Sequence, residues 1–160
     1  MTWPMVALGE VAEINPRMPR GLDEREPVSF LPMAAVSEDG TIDYEEKRSV
    51  GDVKKGYTYF ARDDVLLAKI TPCFENGKAA VAKIKKPIGF GSTEFHVVRG
   101  TDQLDANYAF HLLWGPNFRA LGTRNMTGSA GQKRVPKALL ERLKIPLPPL
   151  AEQKRIAAIL

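Results

Sequence analysis

A chain of 160 residues with 44% hydrophobic and 26% charged residues is long enough for one globular domain and too short for two. It has no run near the ~20 apolar residues that cross a bilayer, and its N-terminus lacks the cationic and apolar segments of a secretion signal, so we expect a cytoplasmic protein. A single cysteine, Cys73, excludes an internal disulfide, and the two histidines provide no zinc-ligand spacing, so we expect no bound metal.

The net charge of +4 is unevenly distributed along the chain. Residues 10–64 carry eight Lys/Arg against thirteen Asp/Glu, a net of −5, whereas residues 65–123 have a net of +3 and residues 124–160 a net of +6. This distribution favours a polyanionic partner for the C-terminal half, although a basic solvated surface explains it equally well before motifs are considered.

Alternating or continuous apolar residues predict a series of short strands. The strands lie at residues 3–8, 28–36, 41–47, 56–60, 65–70, 78–85 and 95–98. The run from Val65 to Ala68 is apolar throughout, which is typical of a strand covered on both faces. Residues 71–77 form the irregular tip of a hairpin between two of these strands. Pro32 cannot donate a ladder hydrogen bond, so it predicts an edge or a bulge.

Loops and short helices account for the remaining segments. Three prolines predict a surface loop over residues 15–27, and residues 89–93 are predicted to be a loop before the last strand. The helices are predicted as one or two turns carrying Val11 and Ile14, a helix capped by Asp105 or Asn107, and a second helix that begins at Pro116 and ends at Gly122. Because the strands precede the longer helices, we predict an α+β fold with a mostly antiparallel, twisted sheet.

The rest of the chain is organised around residues 126–160, which predict a loop, a short helix, a strand and a further helix. The loop combines Gly128 and Gly131 with Lys133 and Arg134, a composition suited to close approach to a phosphate chain. Prolines then stop the strand, and the start of a long C-terminal helix follows, with no packing partner of its own. We therefore divide the chain into a domain of residues 1–148 and a helical segment of residues 149–160.

Two other functions have weak motifs in the sequence, and the signature of a DNA methyltransferase is absent. Glu45, Glu46 and Lys47 resemble the carboxylate and lysine set of magnesium-dependent nucleases. The spacing of Gly128 and Gly131 resembles the backbone clamp of KH-type binders of RNA or single strands. Both remain alternatives.

Four segments in order and spacing carry a closer resemblance. They are residues 64–78, residues 91–97, the run Gly128-Ser129-Ala130-Gly131-Gln132-Lys133-Arg134-Val135-Pro136, and residues 145–156. Together they resemble the target recognition domain of type I restriction-modification specificity subunits, from Trp3 to Leu160. A family member normally carries two such domains separated by long helices, so we expect this chain to be a fragment or a half-length subunit that pairs with a second specificity half or copy.

The resemblance implies a noncatalytic subunit that recognises a split double-stranded DNA sequence. It would hold methyltransferase subunits and, for cleavage, ATP-driven restriction subunits. The chain itself would need no cofactor, because S-adenosylmethionine, ATP and Mg²⁺ would belong to the partner subunits. The alternative for the basic segments is an ordinary solvated surface.

Under this resemblance, basic and polar side chains would lie along the duplex, with cations on phosphates and a few polar groups on base edges. The DNA-binding candidates are Lys69, Thr71, Lys78, Ser92, Thr93, Arg124, Ser129, Gln132, Lys133 and Arg134. Among them, Gln132 could bond adenine and Arg134 guanine. The partner-binding candidates are Gln153, Arg155, Ile156, Ile159 and Leu160.

Overall fold

The computed structural model describes residues 2–160. The strands are β1 (Met5–Ala7), β2 (Glu13–Ile14), β3 (Pro27–Leu31), β4 (Glu46–Ser49), β5 (Thr58–Ala61), β6 (Val65–Ala68), β7 (Ala79–Val81), β8 (Ile88–Gly91), β9 (Phe95–Arg99) and β10 (Lys144–Pro146). The helices are α1 (Leu8–Val11), α2 (Val50–Val53), α3 (Ala106–Trp114), α4 (Pro116–Arg124), α5 (Lys137–Arg142) and α6 (Leu150–Ile159), with a 3₁₀ helix at Met33–Ala35.

The strands form three sheets. One has the order β2-β9-β6-β7, a second has the order β4-β3-β8-β5, and β1 pairs with β10. Among the described strands every pairing is antiparallel except that of β3 with β8. The predicted α+β class and mostly antiparallel pairing are therefore confirmed, although the strands divide between sheets instead of sharing one.

Strand β6 lies between two layers of the core. Val65 and Leu67 face the cluster formed with α3, whereas Leu66 faces the opposite cluster, which contains Phe60 of β5. Successive strand residues point to opposite faces, so a strand covered on both sides needs apolar residues at every position. The prediction for residues 65–68 is confirmed, because all four are buried.

The glycines of β8 make room for the aromatic core between the two larger sheets. A Cβ at Gly89 would lie 2.3 Å from Cε2 of Phe60, and a Cβ at Gly91 would lie 2.4 Å from the carbonyl oxygen of Leu31. Both positions therefore require the absence of a side chain. The prediction of a loop over residues 89–93 is wrong for the residues of β8, because glycines placed for packing resembled turn residues.

Two predictions around Pro32 are also wrong. Strand β3 is an inner strand, and Pro32 follows its last ladder residue, so the missing N–H interrupts no strand pairing. Residues 33–35, predicted to be extended, form the 3₁₀ helix, in which the Val36 amide donates to the Met33 carbonyl at 3.2 Å.

Several element boundaries differ from the sequence prediction. Ile14 belongs to β2 and not to the helical turn, which ends at Val11. Strand β4 begins at Glu46, later than predicted. Helix α4 continues beyond Gly122 to Arg124, and Gly122 allows close approach because a Cβ there would lie 2.3 Å from the Phe74 ring.

The loop, short helix, strand and further helix predicted for residues 126–160 are confirmed, but α6 does have a packing partner. Gln153 is fully buried, and Ile156 and Ala157 pack against the cluster that contains α3. The side chains of Ile159 and Leu160 remain 76% and 70% exposed. Helix α6 has ten described residues, so its predicted length and its separation from residues 1–148 stay predictions. Within residues 2–160, no helix is long and apolar enough to cross a membrane.

Candidate nucleic-acid interface

The predicted basic loop is a hairpin. The amide of Thr127 donates to the carbonyl of Arg134 at 2.9 Å, and the amide of Arg134 donates back to Thr127 at 2.8 Å. Gly128 turns the chain with a φ of 119°, and a Cβ there would lie 2.9 Å from the Gln132 carbonyl oxygen. Residues 127–134 are all exposed. The hairpin therefore presents its polar and basic side chains to solvent.

The base of the hairpin is bonded to the extension of β6. Thr71 donates its amide to the Lys133 carbonyl at 2.9 Å, and Val135 donates its amide to the Lys69 carbonyl at 2.8 Å. On the other side, the Lys69 amide donates to the Glu94 carbonyl at 2.8 Å. Three segments that are distant in sequence thus lie side by side, and we name residues 69–71, 92–94 and 127–135 the hairpin surface.

A buried histidine supports this surface from inside. Nε2 of His96 lies 2.6 Å from the Val135 carbonyl oxygen, and its Nδ1 lies 3.3 Å from Nδ2 of Asn15. Because a carbonyl only accepts, Nε2 carries the proton and Nδ1 accepts from the amide. Burial lowers the pKa of His96, which favours this neutral form. Oδ1 of Asn15 accepts from the Val97 amide at 2.8 Å, so β9 orients the Asn15 amide group that contacts the imidazole.

The side chain of Arg134 is held by Glu94. Its Nε donates to one carboxylate oxygen at 2.9 Å and its Nη2 to the other at 2.7 Å, while Nη1 donates to the Gln132 carbonyl at 3.3 Å. The guanidinium lowers the pKa of the Glu94 carboxyl, and the carboxylate raises the pKa of Arg134. The pair is bidentate and neutral overall.

The other predicted DNA-binding residues have different surroundings. Ser92 accepts the Glu94 amide at its hydroxyl at 3.1 Å, Thr71 donates its hydroxyl to Glu75, and Thr93 is exposed. Two residues are not bonded to the hairpin surface: Lys78 donates its ammonium to the Met33 carbonyl at 3.2 Å, and Arg124 is exposed at the end of α4.

The chain matches a known family along its whole length. Residues 1–160 fit the type I restriction modification DNA specificity domain. The chain belongs to this family. It is 49% identical over 158 residues to the type I restriction enzyme EcoAI specificity subunit of Escherichia coli, and 48% identical over 158 residues to the EcoEI specificity subunit of the same species. Each alignment covers 96% of this chain and 26% of the relative.

Solved structures have the same fold. The HsdS subunit from Thermoanaerobacter tengcongensis superposes with a TM-score of 0.78 at 23% identity, over 98% of this chain and 40% of that one. A chain from a structure described as the assembly and conformational transition of the type I R-M system gives a TM-score of 0.66 at 22% identity, over 98% of this chain and 37% of that one. The resemblance carried by the four sequence segments is confirmed. The chain spans about a quarter of the length of the curated relatives.

The partner-binding candidates of this family member are not equally accessible. The Gln153 side chain accepts the Asp105 amide at 2.8 Å and donates to the Gln103 and Pro148 carbonyls at 2.9 and 2.8 Å. Its amide is therefore occupied inside the domain and is not free for a partner in this conformation. Arg155 is exposed and donates from Nε to Glu152 at 3.0 Å, while Ile156 is partly buried.

The residues of the nuclease alternative do not form a metal site. Glu45 accepts from the Ser29 hydroxyl and, at 3.0 Å, from the Lys85 amide, whereas Glu46 pairs with Arg48. Among residues 2–160, no group of three or more histidine, cysteine, aspartate or glutamate side chains is placed to hold a metal ion. The arrangement therefore lacks the convergent carboxylates that magnesium-dependent hydrolysis requires.

The local structure around Gly128 and Gly131 also differs from that of a KH-type clamp. A KH backbone clamp connects two helices directly, whereas the segment between α4 and α5 that contains Gly128 and Gly131 forms a hairpin whose base is bonded to the extension of β6.

Sequence reasoning missed three residues of the site: Asn15, Glu94 and His96. An acidic side chain is not expected beside phosphates, so the charge of Glu94 gives no signal for this site. Its position after Ser92 and Thr93, in one of the four family-like segments, was the available signal. Asn15 lay in the predicted surface loop, and only the pairing of β2 with β9 brings it to His96.

Proposed function

We propose that this chain binds double-stranded DNA through the hairpin surface and supplies the sequence recognition of a type I restriction-modification complex. The observation that carries this proposal is the convergence of the three segments 69–71, 92–94 and 127–135, which the sequence separates widely. Polar and cationic side chains on these segments, including the exposed residues 127–134, are carried by backbone that is hydrogen-bonded between the segments, an arrangement suited to phosphate positioning and base reading.

The chain acts without chemistry of its own in this proposal. It directs methyltransferase and restriction subunits to the target, and S-adenosylmethionine, ATP and Mg²⁺ are used by those partners. The family is one of specificity domains, and its curated members named above are specificity subunits. The complex acts on DNA in the cytoplasm.

The partner contacts are assigned to the exposed end of α6. The candidates there are the exposed Ile159 and Leu160 and the charged Arg155 on the same helix. A second specificity half or copy supplies the other half of the split target. In this division, residues 1–148 recognise DNA and residues 149–160 connect them to the rest of the assembly.

The test is the salt dependence of duplex binding. Fluorescence anisotropy with labelled duplex at several salt concentrations should show that Lys133→Ala weakens binding and lowers the slope of log K against log salt by about 0.9, the value for one lost phosphate contact. Lys55→Ala is the matched control, because it removes the same charge from an exposed lysine of the acidic N-terminal region. Its slope should equal that of the unaltered chain.

Three results contradict the proposal. They are an unchanged slope for Lys133→Ala, tighter binding to the same sequence as a single strand or as RNA, and cleavage or methylation of DNA by the purified chain alone. The second result would favour the RNA-binding alternative, and the third would favour an enzyme.

A further inference from the structure

Two neighbouring cations of the hairpin surface are held in different ways. The Lys133 side chain makes no hydrogen bond to any residue of the described range 2–160. Arg134 is fixed by backbone hydrogen bonds to Thr127 in both directions and by Glu94 at its guanidinium. A fixed guanidinium loses less conformational entropy when it binds a planar acceptor, whereas a mobile ammonium suits any phosphate within reach.

The bonds of Arg134 leave a defined part of its guanidinium free. The group has five N–H donors, of which Nε and Nη2 give one each to Glu94 and Nη1 gives one to the Gln132 carbonyl. Nη1 and Nη2 therefore keep one N–H each. These two nitrogens form the end of the guanidinium, which can bond O6 and N7 of guanine together in the major groove.

The carboxylate also cancels the charge of Arg134. A neutral pair attracts distant phosphates far less than an isolated cation does, so Arg134 contributes little to sequence-independent binding. Surface ion pairs generally stabilise a fold only slightly, but bidentate geometry fixes the direction of the arginine. The pair therefore favours a role in orientation over a role in affinity.

We propose that Glu94 is a positioning residue that directs the free end of Arg134 towards a guanine, while Lys133 beside it contacts phosphate. This inference rests on the proposed function and divides base reading from phosphate contact within the hairpin surface. Glu94 makes no contact with DNA and acts through Arg134.

The test is selection from a random duplex pool with the 160-residue chain, repeated with its methyltransferase partners. The unaltered chain should enrich guanine at one position. Arg134→Lys keeps the charge but removes the two-pronged donor, so it should reduce that preference roughly 5- to 150-fold and leave other positions unchanged. Glu94→Gln should reduce the preference at the same position, and the double variant should lose no more than Arg134→Lys alone.

Salt dependence separates positioning from a purely structural role. Glu94→Gln releases the charge of Arg134, so the salt slope should become steeper by up to about 0.9, opposite to the effect of Lys133→Ala. A loss of folding would instead weaken binding at every salt concentration. If Glu94→Gln does not fold, Glu94→Asp replaces it: the shorter carboxylate should reduce the guanine preference and leave the salt slope unchanged, and an unchanged preference would refute the role of Glu94.

The failures of the two proposals are distinguishable. If the unaltered chain enriches a sequence but both variants enrich the same one equally, the role of Glu94 is refuted and the proposed function stands. If the unaltered chain enriches no sequence with or without partners, the proposed function itself is refuted.

Discussion

The carbonyl oxygen of Val135 lies 2.6 Å from Nε2 of His96, so a buried imidazole is bonded to the residue that immediately follows Arg134. Val135 also donates its amide to Lys69, which places it between the core strands and the hairpin. The position of the hairpin surface therefore depends on an interior side chain whose charge depends on pH.

Acidification should destabilise the fold through His96. In the unfolded chain the imidazole has a pKa of about 6.5, whereas burial lowers its pKa in the folded protein. Below that pH the unfolded state binds a proton that the folded state does not, so the free energy of unfolding falls as pH decreases and is unaffected by this group at higher pH. The hydrogen bond to the Val135 carbonyl and the charge of Glu94 oppose this lowering of the pKa, whereas Lys69 and Lys137 add to it.

Urea denaturation between about pH 5.5 and 8 measures this effect. The His96→Gln variant should show a weaker decrease in stability across the acidic part of the range. Some decrease should remain, because burial also lowers the pKa of His111. His111→Gln is the control for that second contribution. A decrease identical in the unaltered chain and in His96→Gln would show that His96 is not responsible.

The buried pair Asp64–Arg99 should be one of the strongest single contributions to stability. Nε and Nη2 of Arg99 each donate to a different oxygen of Asp64 at 2.9 Å, and the Ala61 amide donates to the same carboxylate at 2.8 Å. The hydrogen bonds to the Asp64 carboxylate raise the pKa of Arg99. Asp64→Ala leaves a partly buried guanidinium unpaired, so it should cost about 3 kcal/mol, the lower end for a broken buried pair.

Lys83→Ala is the matched control for this substitution. It breaks the nearby ion pair of Lys83 with Asp63, whose side chains are both largely exposed, and should cost under about 0.5 kcal/mol in urea denaturation. Equal losses for the two variants would mean that Asp64 acts as an ordinary surface carboxylate.

A strand with a continuous apolar pattern could be predicted from the sequence. A strand whose residues are chosen to fit side chains of other strands could not. Every residue of β6 is apolar, so its burial on both faces follows from the sequence alone. The apolar signal of β8 is interrupted by Gly89 and Gly91, which are explained only by Phe60 and Leu31 of other strands. Information of that kind lies in the tertiary contacts.

The candidate site divides in the same way. Lys133 and Arg134 could be predicted because glycines and cations occur together within one short segment. The partner of Arg134 could not, because Glu94 lies 40 residues earlier and reaches it only through the pairing of the β6 extension with both segments. The resemblance to the family rests on sequence segments alone and does not depend on knowing how the strands pair. The family match confirms that resemblance.

The buried side chain of Gln153 joins α6 to the start of α3. Gln153→Ala leaves the partly buried Asp105 amide without its acceptor and removes the donor from two carbonyl groups, so it should lower the free energy of unfolding by about 2 kcal/mol. Amide hydrogen exchange should increase most in α6 relative to the unaltered chain, because the substitution removes the bonds that hold this helix to α3. Lys154→Ala, an exposed neighbour, should change neither quantity. If Gln153→Ala instead weakens binding of a methyltransferase partner with stability and exchange unaltered, the side chain contacts the partner directly and its buried position is not the one that functions.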